Sequence, residues 1–315
     1  MAKQPFIVFC DGGLCNRLNA LLVAQLIAKE LEIKLQIAWP TNNWCQLAYS
    51  EIFNESTNVV AQSIDIQGLV TKLAKYELLG HEQQTFSKSP LLNPNLEESW
   101  QSLIDVVAKS LESQPVIYFN ATIPWCCPIQ AASKIAQTLS WKPVYQQQAF
   151  AFLQAQHLNP FEYWGLHIRG TDFGHSHQYF KRWQNIIKRF ADPIVICTDD
   201  LQVRDIYFSN QKVISRKIEH FPQRFHADKG WNAQIVDNQD RTFNFNVLRD
   251  AASVKESIVD LMVLSQAKLF FTSNSTFLTF ALLMRGIEFS IFSRLLFGVR
   301  RIKQKIRIIK AKSRK

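Results

Sequence analysis

The sequence has no CxxC pair, no clean apolar run of membrane length and no Gly-x-Gly-x-x-Gly turn after its first apolar segment. Each absence removes a class. The six cysteines, at 10, 15, 45, 126, 127 and 197, show neither zinc spacing nor a framework of bridges, and the adjacent Cys126 and Cys127 are badly placed to bridge each other. Reduced thiols in a cytoplasmic protein are the expectation. The longest apolar stretch, Ala267 to Met284, is broken by Lys268, Ser273, Asn274, Ser275 and Thr276, so it falls short of the roughly 18 residues a span needs. Met1 to Cys10 enters an apolar run with no cationic region before it, which argues against a secretory leader. A nicotinamide-dependent oxidoreductase needs a glycine-rich first turn, and Asp11 to Arg17 offers only Gly12 and Gly13.

Acidic residues are missing from one place. Ten of the 36 Lys and Arg lie between Arg294 and Lys315, where there is no Asp or Glu, so the body balances 26 bases against 26 acids. A neutral body with one charged tail lacks the basic face of a nucleic-acid binder, and no nucleic-acid partner is expected. In the tail, Leu295, Val299, Ile302, Ile306 and Ile309 recur at spacings of four and three. They fall on one face of a cationic amphipathic helix. Such a segment lies on an anionic membrane surface, packs against its own protein body or stays a solvated tail.

What is present suits a soluble globular protein of two domains: 315 residues, 47% hydrophobic and 20% charged. Pro5 to Cys10 reads as a strand, Asn16 to Leu31 as a helix and Leu35 to Trp39 as a second strand. Strand, turn, helix and strand make a βαβ unit and predict a parallel sheet. Pro115 to Phe119 is a further strand, and Tyr145 to His157 reads as helical before Asn159-Pro160, where we place the domain boundary. Tyr163 to Ile168, Pro193 to Cys197, Lys212 to Ile214, Leu269 to Thr272 and Phe289 to Phe292 are strand candidates of a second α/β domain. The expected division is 1–158, 159–293 and the tail 294–315.

Three segments can carry chemistry. His167-Ile168-Arg169-Gly170-Thr171-Asp172 lies where a strand ends and a loop begins, the edge at which open parallel sheets hold ligands. Arg169 there can fork onto a diphosphate, or pair with an Asp in a plain surface loop. Ile194 to Asp200 is an apolar strand running into Asp199 and Asp200, which can accept from a ribose or base, or cap the next helix. In Asp260 to Phe277 a helix, a strand and a polar turn bring Ser273, Ser275 and Thr276 to the start of another helix, which suits a phosphate or needs only one hydroxyl as a cap.

Taken together, these segments resemble the bacterial nodulation fucosyltransferases and the core alpha-1,6-fucosyltransferases. Those enzymes carry HxRR(T/G)D-like, ATDD-like and D-x4-SxAdF-x4-S-like segments in the same order, and the match runs from Gly165 to about Met284. Gly13-Leu14-Cys15-Asn16-Arg17-Leu18 and Trp39-Pro40 resemble the GxGNxL opening of the same enzymes. Glu51 to Leu158 resembles nothing.

The resemblance implies an α/β, GT-B-like fold of two facing Rossmann-like domains followed by the basic helix. It implies a nucleotide-sugar donor on the carboxyl domain, GDP-fucose favoured, and an acceptor facing the amino domain; a glycan or glycolipid acceptor is what a membrane-bound tail would suit. No metal ion or other cofactor is implied. Arg169 would correspond to the phosphate-binding arginine, Asp199 and Asp200 to the paired aspartates, and Asp260 and Ser275 to the third motif, with His167, Ser273 and Thr276 beside the donor. Gly13, Asn16 and Arg17 would form the amino-terminal loop. Gly170 departs from the pattern, which has a second basic residue there. The general base is open: no acid lies between Asp172 and Asp192, and His175, His177, Asp172 and Asp11 are the candidates. A non-catalytic relative that binds glycan or nucleotide is the alternative.

Overall fold

The computed structural model describes residues 5–54, 99–113, 116–118, 123–124, 126–171, 177–209, 213–236, 242–243, 245–269 and 275–286. The described residues divide into two compact units, one within Met1–Pro40, Glu55–Leu139 and Leu283–Lys315, the other within Thr41–Asn54 and Ser140–Leu282.

In the first unit, β1 (Phe6–Phe9) lies between β2 (Leu35–Ala38) and β3 (Val116–Tyr118), all parallel. Helix α1 (Leu14–Glu30) connects β1 to β2 and packs on α3 (Ile129–Thr138); α2 (Trp100–Ser110) precedes β3. Phe6, Ile7, Val8 and Phe9 are all buried, as a strand covered on both faces requires. α1 is apolar nearly all round, with Leu18, Leu21, Leu22 and Ile27 fully buried, so it is a core helix.

The second unit is a parallel sheet in the order β6 (Val213–Ser215), β5 (Ile194–Thr198), β4 (Trp164–Ile168) and β9 (Lys268–Leu269). Its helices are α4 (Pro143–Ala155), α5 (His177–Ile187), α6 (Leu201–Phe208), α7 (Ala251–Ser265) and α8 (Thr276–Arg285), the last reaching past Leu282. Leu166, Ile168, Ile194 and Ile196 of the central strands pack with Phe180, Ile187, Val203 and Phe208 of α5 and α6. An antiparallel ribbon, β7 (Ile235–Val236) with β8 (Thr242–Phe243), adds a small cluster in which Phe243 lies 5.4 Å from Trp44 between ring centres.

The expected boundary near 158 falls inside this unit. α4 packs along α7, and Asn54 donates its backbone N–H to Ser140 at 2.7 Å, so contact and not the Asn159-Pro160 turn decides where the unit starts. The strand expected at 289–292 and the basic tail lie outside the described residues. Among the described residues no helix is long and apolar enough to cross a membrane. None of the six cysteines is in a disulfide, and burial pushes the Cys10 and Cys197 thiols well above the usual range, where they are poor nucleophiles.

Candidate active site

β4 and β5 pair in register from Trp164↔Ile194 to Ile168↔Thr198, so Arg169 and Asp199 leave the same edge of the sheet side by side. The Asp199 carboxylate takes the loop in hand. Its Oδ1 accepts the Gly170 N–H at 2.7 Å and the Thr171 N–H at 3.4 Å, and its Oδ2 accepts the Thr171 hydroxyl at 2.7 Å. Three donors converging on one carboxylate make a short, charge-assisted cradle. The backbone of Arg169-Gly170-Thr171 is therefore fixed while Arg169 itself remains half-buried.

Asp200 does a different job. Its Oδ1 accepts the N–H of Gln202 at 2.8 Å and of Val203 at 3.4 Å, which caps α6. Burial raises its pKa, and those two N–H groups counter part of the rise. A Cβ placed on Gly170 would lie 2.4 Å from the Asp200 Cβ and 3.0 Å from Val203 Cγ2. No side chain fits. The loop therefore carries a single basic side chain, that of Arg169.

The third segment splits between two places. Asp260 is buried on α7, and its Oδ1 accepts from Arg216 Nε at 2.9 Å; Arg216 also pairs with Glu256 and donates to the Glu256 carbonyl. Burial pushes Asp260 up to about 6 even against the opposing pull of Arg216, and the two acids raise Arg216 despite its own burial. Ser275 accepts the Phe277 N–H on its hydroxyl at 3.2 Å and the Thr279 N–H on its carbonyl at 3.1 Å as α8 begins. Phe277 lies flat on His167, 4.5 Å between ring centres and 13° between planes, which brings the start of α8 to β4. Thr276 is the first residue of α8.

The structure thus gathers His167, Arg169, Asp199 and Asp200 at one edge and brings Ser275 and Thr276 toward it. Asp172, His175 and Ser273 lie outside the described residues, and His177 opens α5. Among the described residues no three His, Cys, Asp or Glu side chains gather as a metal ligand set.

Gly13, Asn16 and Arg17 belong to the first unit. Gly12 takes a φ of 81°, which only glycine holds without strain, and Gly13 starts α1. Arg17 is wholly buried. Its Nε donates to the Gly12 carbonyl at 2.7 Å, its Nη1 to the Pro40 carbonyl, its Nη2 lies 3.9 Å from Asp11, and its guanidinium covers Trp39 at 5.3 Å. Asn16 stays half-buried beside Gly12.

Two residues go beyond the sequence reading. Arg216 reaches Asp260 from the end of β6, and Arg249, just before α7, sits 3.6 Å from Asp199 Oδ2 with its guanidinium 5.7 Å from the Trp44 ring. Neither sits in a motif; the Asp250 helix cap beside Arg249 was the sole local signal.

No protein-family model matches the chain, and no curated protein sequence does. Solved structures do. A NodZ alpha-1,6-fucosyltransferase co-crystallised with GDP superposes with a TM-score of 0.55 at 14% identity, over 90% of this chain and 93% of that one. The selenomethionine form of the fucosyltransferase NodZ from Bradyrhizobium gives 0.54 at the same identity and coverage. NodZ soaked with GDP-fucose gives 0.51, again at 14% identity over 90% and 93% of the two chains. The chain shares the fold of these proteins.

Proposed function

We propose that the chain is an inverting glycosyltransferase that moves fucose from GDP-fucose to a glycan or lipid-linked glycan of a cell surface. The observation that carries this reading is the Arg169-Gly170-Thr171 loop, held by Asp199 at the carboxyl edge of a parallel sheet. The shared fold supports it, because the solved NodZ structures were obtained with GDP and GDP-fucose.

In such a transfer the acceptor oxygen bonds to the anomeric carbon from the face opposite the nucleotide. The bond from that carbon to the β-phosphate oxygen breaks, and its electron pair leaves with GDP. Charge grows on the diphosphate, so the largest contribution comes from a cation and N–H groups already aimed there. Arg169 supplies the fork, with the start of α8 at Ser275 and Thr276 as the second donor group. His167 completes the donor side in this proposal, with Asp260 backing it through its buried pair with Arg216, and the acceptor on the first unit near Gly13 and Asn16. The acceptor's proton goes to Asp172, His175, His177 or Asp11. No metal ion takes part in this scheme; Asp199 and Asp200 are occupied with the loop and the helix cap.

The basic segment 294–315 would hold the enzyme on the inner face of a membrane, at about 1 kcal/mol per basic residue near anionic lipid. Full-length protein should then sediment with anionic vesicles at low salt, and a chain ending at Phe292 should stay in the supernatant. Equal sedimentation of both removes the tail from the account. The function itself is tested by supplying labelled nucleotide sugars to the purified chain with excess chelator. Release of GDP and fucose from GDP-fucose is expected. Binding without release would make the chain a non-catalytic relative, and complete dependence on added metal would contradict the mechanism.

A further inference from the structure

The loop that carries Arg169 is held by Asp199, which raises the question of what holds Asp199. Its Oδ2 faces Arg249 at 3.6 Å, and Arg249 is placed by a segment distant in sequence. The backbone N–H of Arg249 donates to the Asn43 carbonyl at 2.8 Å, and the Arg249 carbonyl accepts the Gln46 N–H at 3.0 Å. Those two bonds splice Arg249, the residue before the α7 cap, into the turn at 42–46. That turn is closed by its own bonds, Cys45 N–H to the Asn42 carbonyl at 2.9 Å and Trp44 N–H to Asn42 Oδ1 at 3.0 Å. It carries Trp44, whose ring lies 5.7 Å from the Arg249 guanidinium and packs on Phe243 and Phe245. The Arg249 side chain is 12% exposed and that of Asp199 is 17%, so the pair is screened little by solvent.

We propose that Arg249 is a positioning residue for the donor loop: clamped by the 42–46 turn, it orients the Asp199 carboxylate, which fixes the Gly170 and Thr171 N–H groups and with them Arg169. This rests on the reading that Arg169 receives the diphosphate. An arginine suits the task because its planar group lies along an aromatic face while a nitrogen at its edge meets a carboxylate. The clamp is one of several ties of 41–54 to the second unit, beside the bonds of Asn54 to Ser140 and of Lys142 to Ile52.

The test is GDP binding by calorimetry, with backbone amide NMR signals of Gly170 and Thr171 as the second readout. Arg249→Gln should weaken GDP binding about tenfold, and Arg249→Lys, which keeps the charge but loses the planar group on Trp44, about threefold, with a smaller movement of the two amide signals. The double variant Arg249→Gln/Asp199→Asn should bind no worse than Asp199→Asn alone. The Gly170 and Thr171 signals should move in Arg249→Gln in the direction they move in Asp199→Asn. GDP binding by Arg249→Gln within twofold of wild type, with Arg169→Ala impaired, overturns the proposal, as does a double variant whose losses multiply. If Arg169→Ala binds GDP normally, the donor reading has failed instead, and the amide signals alone decide whether Arg249 holds the loop. Should Arg249→Gln fail to fold, Arg249→Lys and Asp199→Asn carry the comparison, and unmoved amide signals in both overturn it.

Discussion

The turn after β1 and the turn after β4 use the same vocabulary for opposite ends. Each follows the first strand of its unit's sequence and joins glycine, arginine and aspartate at the carboxyl edge of a parallel sheet. In the first, Arg17 is wholly buried and spends its hydrogen bonds on the Gly12 and Pro40 carbonyls. In the second, the aspartate does the internal work and leaves Arg169 half-buried. An arginine beside a glycine turn is therefore a strut where it satisfies the loop carbonyls itself, and under the proposal above a ligand group where an aspartate holds the loop backbone instead.

The largest expected effect separates the two arginines. Arg17→Met removes the donor to the Gly12 and Pro40 carbonyls and the cation nearest Asp11, and should lower unfolding free energy by about 3 kcal/mol or more. Arg169→Ala should change it by less than about 0.5 kcal/mol, both read by denaturant titration. Equal losses would erase the contrast.

Glycines sharpen it next. Gly170→Ala drives a methyl into Asp200 and should cost roughly 2 kcal/mol, with weaker GDP binding because the cradle shifts. Nothing lies within 4 Å of a Cβ on Gly13, whose φ of −70° suits any residue, so Gly13→Ala should stay within about 0.5 kcal/mol of wild type.

The buried Arg216–Asp260 pair should also respond to pH in a traceable way. Burial holds Asp260 at about 6, above its unfolded value near 4, so the folded protein takes up this proton more readily than the unfolded chain. That contribution is full below about pH 4 and is lost as pH rises through 6. The stability advantage of wild type over Asp260→Asn should consequently narrow, on the order of 2 kcal/mol, between pH 4 and 7. A constant gap across that range would show that Arg216 compensates the burial in full.

The smallest effect concerns caps. Asp200→Ala should cost about 1 kcal/mol through α6, whereas α1 has no side-chain cap to lose, and Gly13→Ser should add a few tenths. Thermal melts suffice to compare them.

The strands were legible because parallel, doubly covered strands are short apolar runs: β1, β2, β4 and β5 fall within or one residue beyond the segments read from composition. Asp199 and Asp200 were legible as a pair, but the division of labour between them was not, since capping depends on where α6 starts and cradling on register with β4. Arg249 and the 42–46 turn left almost no local mark. Their meeting joins residues about 200 positions apart, and long-range closure of that kind has no period or motif. The same reason hid the return of 41–54 to the second unit.

The central claim is that the Arg169 loop receives the diphosphate of a sugar nucleotide. The most direct measurement is GDP-fucose turnover by wild type, Arg169→Lys and Arg169→Ala, each checked for an unchanged melt. The account predicts that Arg169→Lys, which keeps the charge and loses the fork, falls by about two orders of magnitude or more, with Arg169→Ala lower still. Wild-type turnover by folded Arg169→Ala would contradict it.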